Sequence, residues 1–228
     1  MTLLRKLIAG GETRRSRLHD ELGRRIATGP LLRNGPRALL SGAMRLLFGY
    51  RVPKPWISYD AQALLARFLN KHSRVLEFGS GMSTAWYARH AGSVCSIEDN
   101  RDWHDMVSEQ LARHANVELR FAPDRSAYTG LAPDQEFDLI MIDGSYRDDC
   151  ARFAIAHLAA GGTIYLDNCD MNPGTLTGDV PEARRILLDF AKAENLPVRE
   201  FTDLAPTQLH VQRGLWVGGG REGSAAKV

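Results

Sequence analysis

The chain has 228 residues, 44% of them hydrophobic and 25% charged, which suits one domain with a buried core plus an appendage. A formal net charge of only +2 argues against a polyanion-seeking chain as a whole, and no apolar run reaches the length of a membrane span. Cys95, Cys150 and Cys169 are odd in number and lack CxxC spacing, so they read as free thiols of a reducing, cytoplasmic setting and not as a disulfide framework.

The start, MTLLRKLIAGGETRRSR, has too short an apolar core for a secretory signal. Residues 1–51 carry eleven Lys and Arg against Glu12, Asp20 and Glu21, a balance of +8 that leaves −6 for the remainder. Glycines at 10, 11, 23, 29 and 35 and prolines at 30 and 36 predict short helices here. Leu39, Leu40, Met44, Leu47 and Phe48 recur at helical spacing as one apolar stripe. A helical cap over an active site, a contact with a membrane or other anionic surface, and a nucleic-acid arm all suit such a segment. The nucleic-acid signal is weak, because no aromatic interleaving or recognised module accompanies the arginines.

Val52-Pro53-Lys54-Pro55-Trp56 is an extended linker, since proline disfavours helix in the residue before it. Ser58 or Asp60 caps the next helix, with Ala63, Leu64, Phe68 and Leu69 inward. Trp56 or Tyr59 could offer a ring to a cationic ligand. Arg74 to Phe78 is a short strand that ends at Gly79-Ser80-Gly81, where a helix begins. Strand, glycine turn and helix let a backbone approach a nucleotide-like ligand closely. A second strand, Val94–Glu98, ends in an acid nineteen residues after Gly79, the spacing at which a carboxylate accepts hydrogen bonds from ribose hydroxyls.

Arg101 to His114 reads as a helix with Trp103, Met106, Val107 and Leu111 inward. Val117–Ala122 alternates like a strand and leads to the loop Pro123-Asp124-Arg125-Ser126. Phe137–Ile142 is a near-continuous apolar run, as befits a central parallel strand, and Asp143 ends it in the crevice where open α/β sheets bind ligands. A helix through Phe153 and Leu158 follows, then a strand Thr163–Leu166 ending at Asp167-Asn168. Residues 169–180 form a loop suited to closing over a substrate. Pro181 opens a helix, Val198–Phe201 and Leu215–Val217 are the last strands, and 219–228 is a tail.

LEFGSGMST, then SIEDN, then DLIMIDGS, in that order, resemble motifs of the class I S-adenosylmethionine-dependent methyltransferases. The resemblance runs from about Trp56 to Trp216. A nicotinamide-binding fold would want a third glycine near position 84, which here is Thr84. The resemblance implies a three-layer, Rossmann-like α/β fold, with a mostly parallel seven-stranded sheet and an antiparallel last strand. It spans residues 52–218, with 1–51 as a basic helical arm. It also implies S-adenosylmethionine as cofactor. Glu77, Gly79, Ser80 and Gly81 would hold its amino-acid part, with Ser83 and Thr84 at the helix start. Glu98 and Asp99 would face the ribose, the loop with Asp124 the adenine, and Asp143 the reacting end.

Asp143 with Asp167 and Asn168 is similar to the Mg²⁺ site of catechol O-methyltransferase-like enzymes. Their catalytic lysine would fall at Arg147 or Tyr146, and arginine is a poor base. The metal-free alternative has Asp143 or Asp170 accepting the acceptor's proton. The turn Asp143-Gly144-Ser145-Tyr146 lacks the Asn/Asp-Pro-Pro-aromatic signature of base and amide N-methylating members. These expectations converge on methyl transfer to a small-molecule or sugar hydroxyl. The competing expectation is a non-catalytic nucleoside-binding module that works through its basic arm.

Overall fold

In the computed structural model, which describes residues 13–171 and 179–219, the apolar runs become one seven-stranded sheet. Its strands are β1 (Arg74–Phe78), β2 (Ser93–Glu98), β3 (Val117–Phe121), β4 (Phe137–Ile142), β5 (Leu158–Leu166), β6 (Val198–Leu204) and β7 (Val211–Gly218). The spatial order is β3-β2-β1-β4-β5-β7-β6. Strands β1 to β5 pair in parallel, and β7 runs antiparallel to both β5 and β6. The helices are α1 (Thr28–Phe48), α2 (Tyr59–Phe68), α3 (Met82–His90), α4 (Arg101–Leu111), α5 (Arg125–Gly130), α6 (Arg147–Ala156) and α7 (Val180–Ala193). The expected fold class, including the antiparallel last strand, is the observed one.

Successive strand residues point to opposite faces, and both faces are covered, so the central strands are mainly apolar. Leu76, Phe78, Ile140 and Ile142 pack with Tyr128, Ala151 and Leu187 of α5, α6 and α7. Val75, Leu139 and Met141 pack on the other side with Leu65 of α2 and Trp86 and Tyr87 of α3. From β1 the chain winds outward through β2 and β3, then returns to pair β4 on the opposite edge of β1. The crevice beyond the carboxyl ends of β1 and β4 is therefore the switch point where such sheets bind ligands.

Local chemistry sets several boundaries. Ser58 Oγ accepts from Ala61 N–H at 3.2 Å to start α2, and Asn100 Oδ1 accepts from Trp103 N–H at 2.9 Å to start α4 directly after β2. The expected helix through Leu158 stops at Ala156, because β5 begins at Leu158 and pairs β4 with a register shift between Phe137 and Leu139. Of the expected closing loop 169–180, residues 172–178 lie outside the described residues, as do 220–228 of the tail.

The arm differs from the sequence reading. Instead of several short helices, residues 28–48 form one helix of 21 residues that runs through Pro36. Pro30 lies in its first turn, where a missing N–H costs nothing. Gly42 packs against the fold so closely that a Cβ there would lie 2.6 Å from Leu209 Cδ2. The buried side of α1 is Asn34, Ala38 and Gly42, which are small or polar residues. The leucine stripe, which a cap would turn inward, faces solvent.

Polar bonds tie the arm to β6, β7 and the end of β5. Asn34 Nδ2 donates to Asp203 Oδ2 at 2.7 Å, Glu21 N–H donates to Asp170 Oδ2 at 2.9 Å, and Val211 N–H donates to Arg17 carbonyl at 2.9 Å. Arg213, fully buried, pairs with Glu200 and lies 3.8 Å from the equally buried Asp20.

Candidate cofactor and reaction site

A pocket of about 290 Å³ opens at the switch point, and Gly79, Ser80, Gly81, Ser83, Glu98, Asp99, Asp143 and Gly144 are among its lining residues. Eight residues on three strand ends and one helix start thus converge, among them all of the expected site residues but Glu77, Thr84, Asp124, Asp167, Asn168 and Asp170. Gly79 has φ +96 and its Cα faces Gly144; a Cβ there would lie 2.7 Å from the Gly144 backbone. Two glycines in contact therefore bring the ends of β1 and β4 together. Gly81 is different: its φ of 174 is ordinary extended backbone, and a Cβ would meet nothing nearer than Trp103 at 3.8 Å. Packing does not demand a glycine there.

Glu77 does not face the pocket. It is fully buried beneath the glycine loop, where Ser83 Oγ donates to one carboxylate oxygen. Thr84 Oγ1 at 2.6 Å and Ser96 Oγ at 2.7 Å donate to the other. Thr84 Oγ1 in turn accepts from Gly81 N–H at 3.0 Å, so the carboxylate fixes the loop through two hydroxyls. Burial raises the Glu77 carboxyl to about 7, against the lowering effect of the three hydroxyls. The expected contact of Glu77 and Thr84 with a ligand is thus replaced by a positioning role.

Glu98 does line the pocket. One oxygen accepts from Ser80 N–H at 3.0 Å and from Ser80 Oγ at 3.1 Å, and the other accepts from Asn100 N–H at 2.9 Å. The carboxylate is therefore oriented from both sides while keeping lone-pair capacity for a diol. Burial raises its pKa. Trp103 donates its indole N–H to Ser80 carbonyl at 2.7 Å and walls the pocket, with the Arg51 guanidinium 5.2 Å from its ring centre. Sequence periodicity assigned Trp103 to the core; the glycine loop it bonds was the missing signal. Lys54 also lines the pocket, as does Trp56. Tyr59, the other ring considered, lines a neighbouring pocket of about 300 Å³ with Leu40, Met44, Tyr50 and Lys54. Lys54 lines both pockets.

Asp143 ends β4 at the pocket with its side chain 36% exposed. Arg147, one helical turn on and buried, lies with Nη2 3.5 Å from Asp143 Oδ1. Arg147 also donates to the carbonyls of Gly144 at 2.8 Å and Asp167 at 2.6 Å. Burial raises the Asp143 pKa, while Arg147 opposes the rise. Asp167 is 2% exposed, and burial together with the Asp143 charge pushes it well above the carboxylate range.

The set Asp143, Asp167 and Asn168 does not fit the Mg²⁺ suggested by the resemblance. A guanidinium already supplies fixed positive charge beside Asp143. Asp167 is also too enclosed for an ion that keeps several waters. Among the described residues no group of three His, Cys, Asp or Glu side chains could hold a metal ion.

Two further expectations are corrected. Asp170 is buried away from the pocket lining, with its carboxylate accepting from the Glu21 amide of the arm, so it is placed as an anchor and not as a base. Asp124 caps α5, accepting from Ala127 N–H at 3.0 Å and Ser126 Oγ at 2.8 Å, and does not line the pocket. Asp99 lines it, as expected.

Residues 76–169 match the family model described as a methyltransferase domain. The motif order and the seven-stranded topology, that of a Rossmann-like methyltransferase fold, agree with this match. Among solved structures it is similar to the O-methyltransferase from Bacillus cereus in complex with SAH, with TM-score 0.57 and 17% identity over 81% of this chain and 99% of that one. It is similar to the O-methyltransferase TomG from Streptomyces achromogenes, involved in tomaymycin synthesis and solved in complex with SAM. There the TM-score is 0.57 and the identity 16%, over 85% of this chain and 96% of that one. An rRNA methylase from Streptococcus thermophilus aligns with TM-score 0.51 and 14% identity, over 71% of this chain and 95% of that one. At such identities the likeness is one of fold. No curated protein matches the chain.

Proposed function

We propose that the protein transfers the methyl group of S-adenosylmethionine to a hydroxyl of a small molecule, without a metal ion, and that Asp143 accepts the hydroxyl proton. The observation that carries this reading is Asp143 itself. It is a partly exposed carboxylate at the pocket, ending β4 beside Arg147, and its pKa is raised by burial. A raised pKa makes a carboxylate a better match for a weakly acidic hydroxyl at neutral pH. Arg147 keeps the side chain oriented and stabilises its charge before and after the transfer.

S-adenosylmethionine brings an activated sulfonium, so the protein's contribution is alignment and proton removal. Gly79, Ser80 and Gly81 admit the cofactor, Glu98 and Asp99 receive its ribose, and the free N–H groups at the start of α3 with Lys54 receive its carboxylate. The neighbouring pocket, with Tyr59, Leu40 and Met44, is the acceptor's place in this reading, since Lys54 borders both.

The test is formation of S-adenosylhomocysteine across hydroxylated acceptors, with EDTA and with added Mg²⁺. Asp143→Asn should lower kcat by roughly 10²–10⁴ while leaving S-adenosylhomocysteine binding within a few fold. The wild-type rate should climb with pH as Asp143 loses its proton, and the variant should lack that limb. Abolition of turnover by EDTA would refute the metal-free reading. Binding of the cofactor with no turnover on any acceptor would favour the binding-module alternative.

A further inference from the structure

We propose that the outward face of α1 is a docking surface for an anionic lipid bilayer. Helix α1 sits on the domain through Asn34, Ala38 and Gly42, and the opposite face is apolar. On that face and at the helix end, Leu32, Leu46, Leu47 and Phe48 are 72%, 76%, 74% and 72% exposed, and Leu39 is 65% exposed. From Leu32 to Phe48 this stripe runs about 24 Å along the surface. An ordinary surface helix has the reverse arrangement, with its leucines inward. Here the fold turns the leucines to solvent, which is the amphipathic arrangement of an interfacial helix.

Charge decides the occupant. Helix α1 contains Arg33, Arg37 and Arg45 and no acidic residue, and residues 13–51 hold nine arginines against Asp20 and Glu21, a balance of +7. Arg33 shares its charge with Asp60 at 2.5 Å. Arg37, Arg45 and Arg51 instead lie over the rings of Tyr59, Trp56 and Trp103, at 5.2, 5.0 and 5.2 Å from their centres, which leaves their positive charge uncancelled. A second copy of the chain seated face to face on this helix would bring two cationic surfaces together. An anionic bilayer complements both the charge and the apolar stripe, because basic residues near such a surface add attraction to the buried apolar area. Arg37, Leu40 and Met44 also line the pocket beside the cofactor site, so docking would bring that pocket to the lipid surface. The docking itself does not depend on which acceptor is methylated.

The test is co-sedimentation of the full chain with vesicles of phosphatidylcholine alone and of phosphatidylcholine with roughly one-third phosphatidylglycerol, at low and high salt. The expected result is binding to the anionic vesicles, weakened by salt. It should fall roughly tenfold or more in Leu39→Gln/Leu47→Gln, with an unchanged circular dichroism spectrum and melting temperature. Absence of binding to either vesicle would overturn the proposal, as would equal binding to both compositions or binding that the double variant retains. Sedimentation velocity supplies the competing outcome: a dimer that the double variant dissociates, with no vesicle binding, would make the occupant a second copy.

Discussion

The glycine loop over Glu77 and the arm over Arg213 both rest on a charge-bearing side chain removed from water, and they satisfy it in different ways. Glu77 is surrounded by three neutral hydroxyls, two of them from the helix that starts five residues later. Arg213 on β7 faces charged partners, Asp20 on the arm and Glu200 on the adjacent strand β6. A network of neutral hydroxyls can adjust its protonation and hydroxyl orientations when disturbed. A buried ion cluster has no such slack, since removing one member leaves another charge buried. The comparison teaches that the glycine loop rests on adjustable neutral partners, while the arm is held by a charged tertiary latch.

The largest effect is expected where the latch is broken. Arg213→Leu leaves the buried Asp20 without its partner, and a loss of about 3–5 kcal/mol is expected in urea unfolding. Hydrogen exchange should quicken first in residues 13–27, which the latch holds to the sheet. Equal protection of that segment in the variant would mean that the bonds of Asn34, Glu21 and Arg17 hold the arm without the latch. In the cradle the comparable blow is Gly79→Ala. The added methyl must enter the Gly144 backbone at a left-handed φ, so about 2–4 kcal/mol is expected, read by the same unfolding assay.

The same contrast explains what could be read from the amino-acid order. Gly79, Gly81, Glu98 and Asp143 were legible because strand ends and glycine turns fix their positions within a few residues, and the sheet's topology brings those ends together. The role of Glu77 was not, because its hydroxyl partners, above all Ser96 on the adjacent strand, show only in the β1–β2 register. Helix α1 defeated the reading for another reason. Its prolines and glycines suggested breaks, but Pro30 falls in the first turn, and Gly42 is needed for contact with Leu209, which is 167 residues away. Periodicity found the leucine stripe and could not say which way it faced, since that depends on Asn34 bonding Asp203 across the fold. Arg147 was weighed as a failed base, and its use as a fixed cation follows from its reach to three carbonyls.

A middle-sized effect tests whether the cradle's charge adjusts as supposed. With its carboxyl raised to about 7, folded Glu77 keeps a proton that the unfolded chain loses near its ordinary value of about 4.3. The folded state therefore binds more protons between these values. This group's contribution to stability is present in full below about pH 4 and is lost as pH rises towards about 7, where it levels off. Glu77→Gln removes the titration, so the stability of the wild type relative to the variant should fall by on the order of 2–3 kcal/mol between pH 4 and pH 7. Parallel stability curves for the two proteins would show that Glu77 is ionised throughout.

The smallest effect separates folding from binding within the cradle itself. Gly81 has ordinary extended backbone, and a methyl there would meet only Trp103 at 3.8 Å, so Gly81→Ala should change unfolding free energy by no more than about 0.5 kcal/mol. The methyl would instead project where Gly81 lines the pocket, in the place proposed for the amino-acid part of the cofactor. Affinity for S-adenosylhomocysteine, measured by calorimetry, should drop roughly tenfold, about 1.4 kcal/mol. Gly79→Ala and Gly81→Ala, two positions apart in one turn, would then fail in opposite assays. A Gly81→Ala protein that bound the nucleoside as tightly as wild type would mean that the ligand lies further towards Glu98 and Asp99 than the glycine turn implies.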